Sequence, residues 1–90
     1  MKYEVGDKVI LKSFHNTTKA PKNIDHSENY WKLIGISGKI LKEGDSHPAF
    51  KKLGHRVLVE FDSDIMAYGL HCHNEFPNAL WIFESDLSLM

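Results

Sequence analysis

His55-Arg56-Val57-Leu58-Val59-Glu60-Phe61-Asp62 is the stretch that decides the fold. Val57, Val59 and Phe61 recur at every second position, so on extended backbone they share one face, with Leu58 and Glu60 on the other. Asp62-Ser63-Asp64 follows, a cluster of small polar residues that turns the chain. The reading is a short strand covering a core.

Similar bursts lie on both sides of it. Upstream, Val5-Gly6-Asp7-Lys8-Val9-Ile10-Leu11-Lys12 reads as a strand opened by a Gly6-Asp7 turn, with Val9 and Leu11 on one face. Leu33 to Lys42 reads as a second strand, interrupted by Gly35 and Gly38, and glycine inside a strand marks a bulge or sharp bend. Downstream, Ile65 to His73 reads as a weaker strand and Ala79 to Phe83 as a stronger one. Glu84-Ser85-Asp86 reads as one 3₁₀ turn before a last short strand, Leu87 to Leu89. Residues 13–30 form a long polar loop, with Phe14 and Ile24 placed to pin it to the body. Residues 43–54 form a second loop, with one helical turn expected from Ala49 to Leu53.

Ninety residues make one domain, 1–90, with a modest core. No run approaches the roughly 18 apolar residues that span a bilayer, so no membrane role is expected. The N-terminus carries no signal-peptide pattern, and the single cysteine, Cys72, has no internal disulfide partner. Both features point to a reducing, cytoplasmic setting. All eleven Lys and Arg residues lie at or before Arg56, where six acids leave a net charge of +5. Residues 57–90 hold six acids and no Lys or Arg, a net −6. Interleaved strands from the two halves would neutralise each other across a sheet.

Five or six short antiparallel strands, bent by glycines, with long loops and a 3₁₀ turn before the last strand, resemble an SH3-like barrel. Val5-Gly6-Asp7-Lys8-Val9 and Glu84-Ser85-Asp86-Leu87 look like the first and last strands of such domains, the Tudor and KOW types included. Tyr30-Trp31, then Gly38-Lys39-Ile40, then Val57-Leu58-Val59-Glu60-Phe61 is similar in order to the photosystem I accessory subunit. The ferredoxin-thioredoxin reductase variable chain shares that layout. The resemblance implies an all-β small barrel and no particular function, because one fold hosts many.

Tyr30, Trp31, Tyr68, Phe76 and Trp81 are the aromatics placed near loop mouths, where they would line a shallow groove for an extended peptide. Tyr30 and Tyr68, each with a polar tip, read as the better surface candidates. Against this, Trp81, between Leu80 and Ile82, and one of the Tyr30-Trp31 pair read more readily as caps on the core. Asp62, Asp64 and Glu75 would set partner preference by charge. The leading expectation is therefore a non-catalytic module that binds a protein or peptide through Tyr30, Trp31, Tyr68 and Phe76. A nucleic-acid-binding barrel using Lys19, Lys22, Lys51 and Lys52 is the alternative. A second alternative is an accessory subunit of a larger enzyme.

Catalytic and metal chemistry find little support. His71 and His73 share a strand face and so could ligate one Zn²⁺, but Cys72 points away and two further ligands would have to come from elsewhere. The same alternation separates Cys72 from both imidazoles as a nucleophile–base pair. No phosphate loop or nucleophile elbow occurs. No cofactor, metal or enzymatic activity is expected.

Overall fold

The computed structural model describes residues 3–44, 55–71 and 76–90. Five strands form one antiparallel sheet: β1 (Lys8–Leu11), β2 (Ser37–Glu43), β3 (Arg56–Phe61), β4 (Ala79–Phe83) and β5 (Leu87–Leu89). Their order is β4-β3-β2-β1-β5, and among the described residues there is no α-helix. The Cα radius of gyration is 12.2 Å, the value of about 12 Å expected of a compact chain of this length.

β3 lies between β4 and β2, and its alternation holds. Val57, Val59 and Phe61 join Leu80 and Ile82 of β4 and Ile40 of β2 in the main core. Leu58, on the opposite face, is also fully buried, so β3 is covered on both sides. Burying each such side chain contributes roughly 1.5–3 kcal/mol. Leu58 lies opposite Trp81 of β4 in the register. Trp81 in turn lies against Gly44, where a β-carbon would fall 2.6 Å from the indole.

The connection from β4 to β5 fixes the shape. β4 and β5 are the two edges of the sheet, which would lie about 19 Å apart if five strands were flat. Only the 3₁₀ turn Glu84–Asp86 joins them, a step of about 8 Å at a 3₁₀ rise. The sheet is therefore strongly curled, and the turn and its flanking strand fall where the sequence pattern puts them.

Three local readings change. The segment read as a strand from Ile65 to His73 begins instead with a 3₁₀ turn, Ile65–Tyr68, closed by Gly69 in the left-handed region at φ 76°. Asp64 accepts from the Met66 amide at 3.0 Å, and Asn78 Oδ1 accepts from the Ile65 amide at 2.7 Å. These contacts withdraw both amides from any ladder. The second strand starts at Ser37, not Leu33, because Tyr30–Leu33 is a 3₁₀ turn and Gly35 reverses the chain at φ 93°. The bulge in β2 falls between Ile40 and Lys42, away from Gly38. Gly38 instead permits close approach, since a β-carbon there would lie 2.6 Å from the Glu60 carbonyl oxygen. The helical turn read over Ala49 to Leu53 lies outside the described residues.

The charge halves do meet across the sheet. Lys8 of β1 pairs with Asp62 at 3.1 Å, and Lys39 lies opposite Glu60 in the β2–β3 register. No helix of the described residues is long and apolar enough to cross a membrane.

Candidate functional site

The long loop after β1 is more ordered than its polar composition indicates. Phe14 and Thr17 exchange backbone hydrogen bonds of 2.8 and 3.0 Å, around His15 and Asn16 at φ 49° and 62°. Two consecutive positive φ values make this a type I′ two-residue hairpin. Positive φ is uncommon for any residue but glycine, Asn and His being among those that tolerate it best, and two in succession need a reason.

Asp86 supplies the reason. Its carboxylate is fully buried and accepts from the His15 amide at 3.0 Å, the Asn16 amide at 2.8 Å and Ser13 Oγ at 2.6 Å. Both amides of the tight turn thus converge on one acid from the turn before β5. The Lys12 amide also donates to the Asp86 carbonyl at 2.9 Å. Nearby, the Tyr3 hydroxyl donates to the Leu87 carbonyl at 2.9 Å.

The anchored hairpin orients an aromatic group. Phe14 and His15 stack with ring centroids 4.5 Å apart and planes 14° from parallel. Trp31 stands nearly at right angles to both, at 73° and 72°. Its Nε1–H donates to Thr17 Oγ1 at 2.9 Å, which fixes the indole to the hairpin. Tyr30 packs against Phe14 at 5.4 Å and donates its hydroxyl to the His71 carbonyl at 2.6 Å. His15 also meets Phe83 of β4 edge-on at 5.6 Å.

These residues line a shallow, mostly apolar pocket of about 240 Å³, bounded by Phe14, His15, Ile24, Glu28, Tyr30 and Trp31. That falls below the roughly 300–1,000 Å³ of sites that enclose a small-molecule ligand. The space suits one side chain or a short length of extended peptide.

The residues singled out in the sequence do not all gather there. Tyr30 and Trp31 do, although Tyr30 is buried rather than a surface residue. Tyr68 is half-buried and packs against the core from the Ile65–Tyr68 turn. Phe76 lies under the Lys42 ammonium, 5.4 Å from the ring centre. Lys42 is opposite Leu58 in the register, on the face of β3 away from the main core. Asp62 binds Lys8 and accepts from Ser37 Oγ at 2.6 Å, and Asp64 caps its own turn. The Ser37 hydrogen bond, and then Lys8, hold the Asp62 carboxyl below its ordinary value. Lys19 and Lys22 are exposed on the long loop. Lys51, Lys52, Cys72, His73 and Glu75 lie outside the described residues.

Glu28 and His15 are the pocket residues that sequence reasoning missed. The signal for the hairpin was present: Asn at the second central position of a two-residue turn between Phe14 and Thr17. Glu28 enters through the 3₁₀ turn His26–Glu28, which no periodicity announces. Among the described residues, no group of three or more His, Cys, Asp or Glu side chains is placed to hold a metal ion.

No protein-family model, curated protein or solved structure matches the chain.

Proposed function

We propose that this chain is an SH3-like interaction module that binds an extended segment of a protein partner at the pocket bounded by Phe14, Ile24, Tyr30 and Trp31. The observation that carries the reading is that pocket: half-buried Trp31 and Ile24 on a rigid aromatic base, held by a hairpin locked to Asp86. Rigid aromatic anchors offer large contact area at low entropic cost. The strand order, the curled sheet and the 3₁₀ turn before β5 support the barrel reading. An accessory subunit is the same reading with a permanent partner.

The nucleic-acid reading rests on loop lysines, of which Lys19 and Lys22 are exposed. The carboxylate of Glu28 at the pocket disfavours a phosphate backbone there.

The test is affinity capture from lysate of the source cells with the wild type and a Trp31→Ala variant, both shown to be folded by circular dichroism. A protein held by the wild type and lost by the variant supports the reading. Equal capture of the same proteins by both overturns it. Capture abolished by nuclease treatment promotes the nucleic-acid reading instead.

A further inference from the structure

We infer that the pocket receives a cationic side chain, arginine or lysine, from the partner segment. The inference rests on the peptide-binding reading above and adds the chemistry of the ligand.

Three features of the pocket carry it. Its walls form an aromatic corner, with Trp31 at 73° to Phe14 and 72° to His15. A cation seated in the pocket would meet aromatic surface, and a ring's negative face attracts a cation within roughly 6 Å of its centre. Glu28, an exposed residue, supplies a carboxylate to the pocket lining, and Ile24 supplies an apolar wall for a methylene stem. Arginine and lysine combine such a stem with a charged head and bury the first while the second stays near water. The volume of about 240 Å³ accommodates one long side chain.

The aromatic base also lacks freedom to collapse into the space. Trp31 is held by Thr17, Tyr30 by the His71 carbonyl, and the Phe14–His15 pair by the turn that Asp86 clamps. A preformed corner lowers the ordering cost of a weak contact. An anionic side chain would share the pocket with Glu28, so the same lining selects against acidic segments.

The experiment uses three capped peptides, Ac-Ala-Ala-X-Ala-Ala-amide, with X arginine, norleucine or glutamate. Each is titrated into the isotopically labelled full chain and into a Glu28→Gln variant, with dissociation constants read from amide shifts around the pocket. The arginine peptide binds more tightly than norleucine by about fivefold, the order expected of an exposed cation–π contact with a nearby carboxylate. Glu28→Gln reduces that margin, and the glutamate peptide binds weakest. Equal binding of arginine and norleucine at the pocket, or a margin unchanged in Glu28→Gln, overturns the cationic preference and leaves peptide binding standing. No pocket shift with any of the three overturns both.

Discussion

The Asp86 carboxylate lies 2.6 Å from Ser13 Oγ, across 73 residues of sequence. This contact belongs to the clamp that ties the first long loop to the turn before β5. It places the aromatic corner beside β4, because the clamped residue His15 touches Phe83. The pocket thus depends on an acid that is itself buried and does not line it.

Removing that acid should cost stability. Asp86→Ala leaves the His15 and Asn16 amides and the Ser13 hydroxyl without their acceptor, a loss of about 3 kcal/mol. For a domain of this size the melting temperature should fall by about 12–24 °C. Asp86→Asn keeps one oxygen and should fall between the two. Thermal unfolding followed by circular dichroism checks the order, and an alanine variant as stable as wild type contradicts the clamp.

Gly38→Ala forces a methyl group to within 2.6 Å of the Glu60 carbonyl and 2.8 Å of Val59 Cγ1. The β2–β3 ladder must part or shift, at about 1–3 kcal/mol. Denaturant unfolding should show a lower midpoint with an unchanged slope.

Asn78 joins three segments. Its Nδ2 donates to the Phe61 carbonyl at 2.8 Å and the Ser63 carbonyl at 3.0 Å, while its Oδ1 accepts from Ile65. Its φ of 58° adds a backbone demand. Asn78→Gly and Asn78→Ala both lose the hydrogen bonds, but alanine also bears the left-handed strain. The alanine variant should unfold earlier than glycine by about 1 kcal/mol.

Asp62 gives a pH dependence of known sign. Its folded pKa lies below the ordinary value, through Ser37 and Lys8. The stabilisation is therefore present above the ordinary carboxylate range and is lost as pH falls through the lowered folded value. The melting-temperature gap between wild type and Asp62→Asn should narrow on acidification and with added salt, because the pair is exposed. A gap that widens in acid contradicts this assignment.

The sheet was largely legible because alternation is a local signal. Val57, Val59 and Phe61 announce β3, and the polar Glu84-Ser85-Asp86 between two apolar runs announces the last turn. The site was less legible because its determinants are distant pairings. Nothing around Ser13 reveals that Asp86 will accept from it. Ile65–Tyr68 misread as strand because its shape depends on Asn78, thirteen residues beyond Ile65. Tyr30-Trp31 stood out by composition, but the hairpin that orients Trp31 depends on positive φ at His15 and Asn16.

The proposed docking places a partner segment beside Trp31. The chain offers its own control, since Trp81 lies against Gly44 and opposite Leu58 and is not among the pocket residues. The most direct measurement follows both indole N–H resonances of the labelled protein as the arginine-centred peptide is added. The Trp31 signal should move with saturation while the Trp81 signal stays. A stationary Trp31 signal, or movement confined to Trp81, would contradict that docking.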